Sequence, residues 1–313
     1  MKLTVACSPH IRGDFRSSRL MLDVMLALTP ALLVGVWMHG IRSALVVLTS
    51  IASCVVFEWL YSRITKKRNT IIDGSAMVTG MLLAMTLPAT VPYWLVLVGS
   101  GFAVILVKAL CGGLGQNIFN PALAARAAMM VVYPVGLTRY MDIDGVTAAT
   151  PLANMHQGLM PAETWSQIAW GTVGGCIGET SAVMLLIGLV YLLVRKVIKI
   201  TIPAAYIGTV ALLTLLFPMG NNNIDWMLCQ VFGGGLMLGA IFMATDYVTS
   251  PLTQKGQVVY GIGCGALTVR IRYFGGYNEG VSYAILIMNC FVVLLDRIGR
   301  PIKFGAPKKE AAK

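Results

Sequence analysis

Ser181-Ala-Val-Met-Leu-Leu-Ile-Gly-Leu-Val-Tyr-Leu-Leu-Val194 runs for fourteen residues without a charge and without polar–apolar alternation. Arg195, Lys196 and Lys199 follow it, and a second such run then spans Ala204–Phe217. A barrel strand would alternate with period two between lipid and lumen. These runs do not, so they read as helices, the one open-ended element whose backbone satisfies itself in lipid.

Working outward, hydrophobic runs recur from Leu20 to the C-terminal end, with one long polar interruption between Gly136 and Gly175. The 313-residue chain is 57% hydrophobic and 12% charged, too little charge for the surface of a soluble domain of this length. At about 20 apolar residues per crossing, about ten spans fit. They are placed at 20–38, 43–62, 74–91, 93–110, 117–134, 177–195, 200–218, 226–244, 257–273 and 279–297. With the amino end inside, 19 of the 24 Lys and Arg residues fall in inner loops, arm and tail, Lys108 among them. The positive-inside rule then predicts a multi-pass inner-membrane protein with both termini cytoplasmic. This placement also accounts for the net charge of +11 and leaves no basic surface for nucleic acid. The expected organisation is a basic arm (1–19), a first five-helix repeat (20–135), an outer loop (136–176), a second five-helix repeat (177–298) and a cytoplasmic tail (299–313).

Two segments break the pattern. The third span opens at Gly74 and runs into Pro88 and Pro92, and the eighth carries Gly233, Gly234, Gly235 and Gly239 and runs into Pro251. Gly80, Thr86, Thr90 and Pro92 match Gly239, Thr245, Thr249 and Pro251 at one offset. Five spans per half would invert the second half. Inverted repeats with interrupted helices build a midplane site, so the expected fold is an all-α polytopic membrane protein of two inverted five-helix repeats.

The seven cysteines, Cys7, Cys54, Cys111, Cys176, Cys229, Cys264 and Cys290, form no CxxC pair. The three histidines are scattered, so no metal or iron–sulfur spacing is visible. No GxGxxG follows a strand-like segment, so a dinucleotide would bind elsewhere. The outer loop contains Asp144-Gly145-Val146-Thr147-Ala148-Ala149-Thr150-Pro151. Thr150 and Pro151 alone make a good helix start, a hydroxyl N-cap followed by proline. That reading leaves Asp144, Gly145 and Thr147 unexplained.

Asp144–Thr150 resembles the acceptor motif for covalent FMN, in which the flavin phosphate is esterified to the last threonine. The wider chain resembles the D subunits of Rnf complexes and, more distantly, the B subunits of sodium-translocating NADH:quinone oxidoreductases. The marks are Ser8-Pro9-His10, Asp73-Gly74-Ser75-Ala76, Gly115-Gln116-Asn117-Ile118-Phe119-Asn120-Pro121-Ala122, Ala244-Thr245-Asp246-Tyr247 and Gly280-Val281. The quinone-reductase type carries an additional amino-terminal extension. The short arm before Leu20 therefore points to the Rnf type.

The resemblance implies a membrane subunit of an ion-translocating ferredoxin:NAD oxidoreductase, not catalytic alone. Its partners would be the A, B, C, E and G subunits of the Rnf complex and the lipid bilayer, with NAD and ferredoxin bound on other subunits. It implies FMN on Thr150 through a phosphoester, where a helix N-terminus suits the phosphate. A second, noncovalent riboflavin is implied near Asn117 and Asn120, whose amides suit the donor–acceptor edge of an isoalloxazine. Both asparagines could equally stabilise the break before the fifth span.

Ionisable residues inside spans are costly and repay attention. Arg126 could bind a flavin phosphate or pair with a carboxylate, with Arg270 and Arg272 as rivals for the phosphate. Asp73 and Asp246 flank the two interrupted helices and are the leading candidates for an ion path, with Glu179 and Glu279 behind them. Asp23 and Glu58 read as structural charges. A channel or secondary transporter is the competing class, and it would have no use for the threonine motif.

Overall fold

The computed structural model describes residues 17–66, 71–113, 115–140, 150–220 and 222–299. Ser8-Pro9-His10, the motif residues 141–149 and the tail from 300 lie outside the described residues. Among the described residues every regular element is helical. The first half comprises α1 (Ser17–His39), α2 (Ile41–Ile64), α3 (Ser75–Met85), α4 (Tyr93–Gly101, continued by a π-helical segment Phe102–Ala109) and α5 (Pro121–Val132). Three short helices follow: α6 (Pro134–Leu137), α7 (Pro151–His156) and α8 (Trp165–Trp170). The second half holds α9 (Ala182–Val194), α10 (Thr201–Leu216), α11 (Asn223–Phe232), α12 (Leu236–Leu238, continued by a π-helical segment Gly239–Met243), α13 (Gln254–Phe274) and α14 (Val281–Leu295).

Each expected span contains a helix. Two, α1 and α2, are by themselves long and apolar enough to cross a membrane, and the bent α11–α12 pair makes a third. The other apolar helices are shorter because specific residues stop them. Gly74, in the left-handed region at φ 73°, opens α3, and Pro88 and Pro92 follow its end. Asn120 starts α5 by accepting bonds from the Ala122 and Leu123 N–H groups, with Pro121 in the first turn. The α11–α12 bend of 59° sits on Gly233-Gly234-Gly235, where Gly234 takes φ +67°, a conformation open to glycine and poorly tolerated by other residues.

Packing relies on small residues, as it must where the surroundings are as apolar as the side chains. Ser50 on α2 donates to the Gly80 carbonyl at 2.7 Å. A Cβ at Gly80 would lie 2.8 Å from the Ser50 carbonyl oxygen, so the α2–α3 crossing is set by that glycine. Gly261 and Gly265 do the same on α13 against Ala205 and Thr209 of α10. Helix α3 is buried on almost every face and sits in the main core with Leu95, Leu123, Ile177 and Tyr206. Across the halves, α1 packs on α9 and α5 on α14.

The ends of the interrupted helices expose carbonyls that their own helices cannot satisfy, and each is met by a donor from the other half. The Met85 and Leu87 carbonyls accept from Gly178 N–H at 2.7 Å and Ile177 N–H at 3.0 Å. The Met243 carbonyl accepts from the Asn120 amide at 3.3 Å.

One charge departs from the sequence expectation. Lys108, assigned above to an inner loop, is 4% exposed. Its ammonium donates to Glu58 at 2.6 Å and to the Ser75 hydroxyl at 2.7 Å. The π-helical segment carries it inward. Asp23 is held by Tyr191 at 2.9 Å and Arg195 at 3.3 Å, a structural role for both Asp23 and Glu58.

Candidate functional site

The largest concavity, about 340 Å³, lies between the halves, and Thr150, Arg126, Tyr140, Glu179, Glu279 and Tyr283 are among its lining residues. Thr150 has the extended N-cap backbone of α7, and its carbonyl accepts from Ala153 N–H at 2.8 Å. Its hydroxyl, however, makes no capping bond, unlike the side chains of Asn120, Ser181, Asn222 and Thr253 at their helices. Proline starts the helix and the hydroxyl is left for the cavity. With only six residues, α7 has little dipole to offer a phosphate.

The charge comes instead from Arg126. Its guanidinium bonds to Glu279 Oε2, lies 3.8 Å from Glu179 Oε1 and reaches Cys176 Sγ at 3.7 Å. Both alternatives weighed for Arg126 thus concern one place: it pairs with carboxylates and it faces the cavity that Thr150 enters. Glu279 Oε1 also accepts the Gly235 N–H at 2.5 Å, so the break before α12 aims a backbone donor at the same carboxylate. Phe232 forms one wall, and Tyr277 stacks on Tyr283 at 5.0 Å on another. Burial, reinforced by Cys176 and Glu179, pushes the Tyr140 phenol well above its ordinary range and keeps it neutral.

Arg272, fully buried, serves a different end. It donates to the Gln230 carbonyl at 2.5 Å, the Gln230 side-chain oxygen at 3.0 Å and the Gly233 carbonyl at 3.1 Å. These are the carbonyls freed where α11 stops. Arg270 is exposed. Neither residue lines the cavity.

A smaller cavity of about 110 Å³ gathers Asn117, Asn120 and Asp246 with Ser75 and Lys108. Asp246 accepts from the Thr249 hydroxyl at 3.2 Å and from Val248 N–H at 3.5 Å. Asp73, its expected counterpart, ends a 3-10 turn, Ile71–Asp73, and lines neither of these two cavities. The structure therefore joins Asn117, Asn120 and Asp246 in one place, Thr150 and Arg126 in another, and leaves Asp73 out. Sequence reasoning ranked Glu179 and Glu279 low because neither stands in a recognisable motif. The Gly233-Gly234-Gly235 run was the available signal, since a helix that breaks there needs an anion for its freed N–H groups.

Residues 4–305 match the family of NQR2, RnfD and RnfE proteins. The chain belongs to this family. Full-length relatives agree: it is 43% identical to the D subunit of the proton-translocating ferredoxin:NAD(+) oxidoreductase complex of Clostridium ljungdahlii, over 96% of each chain. It is 44% identical to the D subunit of the Na(+)-translocating ferredoxin:NAD(+) oxidoreductase complex of Acetobacterium woodii, over 99% of this chain and 98% of that one. Identity to the D subunit of the ion-translocating oxidoreductase complex of Stutzerimonas stutzeri is 35% over 92% of each. Within the family, then, the cavity and its buried arginine belong to a membrane subunit of redox machinery, and the transporter class loses its standing.

Proposed function

We propose that this chain is the D subunit of an Rnf-type ferredoxin:NAD oxidoreductase. It would carry FMN covalently on Thr150 and pass electrons in a complex that moves Na+ or H+. The observation that carries the reading is the Thr150 hydroxyl, free of its helix cap, on the rim of a cavity holding Arg126. A volume of about 340 Å³ lies within the roughly 300–1,000 Å³ of small-molecule sites. The aromatic walls suit a flat ring, and Arg126 suits a phosphodiester. When bound, the flavin supplies the redox chemistry. The protein anchors it, neutralises its phosphate and keeps the ring at the wall of the bundle.

The finer architecture belongs to the same proposal. Two inverted repeats of five membrane helices, within 20–135 and 177–298, are supported by the pairing of first helix with first (α1 on α9) and last with last (α5 on α14). Both interrupted helices end at carbonyls satisfied from the opposite half. We place both termini in the cytoplasm and the 136–176 loop outside, on the positive charge of the inner loops. The partners are the A, B, C, E and G subunits of the Rnf complex, in the inner membrane, with NAD and ferredoxin held elsewhere in the complex.

A noncovalent riboflavin near Asn117 and Asn120 rests on the family resemblance. Their cavity of about 110 Å³ is below the size of a small-molecule site and does not fit a whole flavin without opening its walls. Asp246 in the same cavity is the better-supported ion-path residue, and Asp73 is kept only as its sequence counterpart. The relatives named for Na+ and for protons are equally similar to this chain, so overall identity does not choose the ion.

The test is flavin fluorescence of the purified full chain after denaturing electrophoresis, wild type beside Thr150→Ala, in a host with an active flavin transferase. The expected result is a fluorescent wild-type band that vanishes in the variant. A dark wild-type band would overturn the reading.

A further inference from the structure

One guanidinium in the large cavity faces two carboxylates, and their environments differ. Glu279 is provided for as an anion: Oε2 meets Arg126 and Oε1 accepts the Gly235 N–H. Glu179 is not. Its Oε2 accepts a long bond from Cys176 N–H at 3.4 Å. Its Oε1 is buried, accepts no hydrogen bond, and reaches Arg126 only at 3.8 Å. The side chain is nonetheless nine-tenths buried and lines the cavity that Thr150 enters. A carboxylate held this loosely in a low-dielectric site is the group that gives way first when negative charge arrives, because like charge and desolvation both favour its neutral form.

The neighbours leave no better candidate among the described residues. Arg272, on α13, spends its donors on the Gln230 and Gly233 carbonyls, and His156 of α7 bonds to the Arg272 carbonyl at 2.6 Å. The phenols of Tyr140, Tyr277 and Tyr283 and the thiol of Cys176 start neutral and cannot take up a proton.

We infer that Glu179 is the proton-accepting carboxylate of this site, binding one proton as an electron reaches the flavin on Thr150. The electron, from another redox subunit of the complex, stays on the ring. A proton from water forms an O–H bond at Glu179, whose carboxylate becomes a carboxylic acid. Arg126 is then left to Glu279 and the flavin phosphate. Charge in the cavity is thereby balanced, and no bond forms between Glu179 and the flavin. Glu179 acts as a positioning and charge-balancing residue, and the inference rests on the FMN reading above.

The experiment is reduced-minus-oxidised infrared difference spectroscopy of the purified, flavin-bearing complex in H2O and D2O. The expected result is a carboxylic-acid C=O band that appears on reduction, shifts in D2O and is lost in Glu179→Gln. In parallel, the midpoint potential of the Thr150 flavin should lose part of its pH dependence in that variant. A fluorescent wild-type band with no carboxyl signal, or a signal that persists in Glu179→Gln, overturns the inference while leaving the FMN reading intact. A dark wild-type band instead sinks the FMN reading and this inference with it. Should Glu179→Gln fail to fold, judged by loss of attached flavin, Glu179→Asp keeps a carboxyl and must move the band; an unmoved band overturns the inference.

Discussion

Replacing Arg272 by Met tests whether a buried arginine far from any carboxylate salt bridge is there to hold a broken helix. The guanidinium satisfies two backbone carbonyls, Gln230 at 2.5 Å and Gly233 at 3.1 Å, where α11 stops and water is excluded. Each buried acceptor left without a donor costs roughly 1–3 kcal/mol, so two cost roughly 2–6 kcal/mol. Part of this is returned, because Met fills similar space and removes a buried charge whose Nε makes no hydrogen bond. A net loss of about 3 kcal/mol is expected. At about 2 °C per kcal/mol for a chain of this size, the melting temperature should fall by about 6 °C. A thiol-reactive fluorophore reports it on the full chain in detergent, since Cys54, Cys176, Cys229 and Cys264 are at most 2% exposed and react on unfolding. Arg272→Lys should lose an intermediate amount, because an ammonium lacks the fork that reaches both carbonyls. An unchanged melting temperature in Arg272→Met would refute the capping argument, and a Lys variant equal to wild type would show that charge, not the fork, matters.

Three further outcomes can be read in the same assay. Gly178→Ala would put a methyl 2.6 Å from Met85 Cβ and 2.8 Å from the Met85 carbonyl oxygen, and the overpacking should cost about 1–3 kcal/mol. Asn120→Ala removes the α5 cap, worth about 1 kcal/mol, together with the bond to the Met243 carbonyl. Asn120→Asp keeps the cap but cannot donate to Met243, so it should fall between alanine and wild type. Tyr206→Phe should cost only about 1 kcal/mol: Thr268 gives its own proton to the Cys264 carbonyl at 2.8 Å, so Tyr206 is the donor in their 2.7 Å bond, and the threonine keeps a partner when it goes.

The helices were legible because lipid imposes one rule on every apolar run. Ser181–Val194 and Ala204–Phe217 could hardly be anything else, and α9 and α10 lie on them. The breaks were legible too, because Gly233-Gly234-Gly235 and Pro88–Pro92 punctuate the chain wherever they stand. What sequence could not supply was the pairing between distant helices. Lys108 reads as a loop charge until α2 brings Glu58 to it, and Arg272 reads as a phosphate ligand until α11 ends beside it. Thr150 was singled out by its motif, yet the distinction between a helix cap and a free hydroxyl depends on where one side chain points. Glu179 and Glu279, a hundred residues apart, become a site only when two halves of the molecule close on Arg126.

The two cavities share their walls, and this gives the interrupted helices a purpose beyond closing the bundle. Helix α5 begins at the smaller cavity with Asn120 and Pro121 and presents Arg126 to the larger one. The α12 segment runs between the same two places, from Gly235 on Glu279 to Met243 on Asn120. With a rise of about 1.5 Å per residue, either helix spans on the order of 10 Å. A shift of α12 along its axis would change the donor on Glu279 at one end and the acceptor for Asn120 at the other. Its π-helical turn, Gly239–Met243, is the kind of irregularity that lets a short helix change register at modest cost. Charge arriving beside Arg126 would thus be felt at Asn120 and Asp246 through hydrogen bonds at the two ends of one short element, Leu236–Met243, with no need for a larger rearrangement of the bundle.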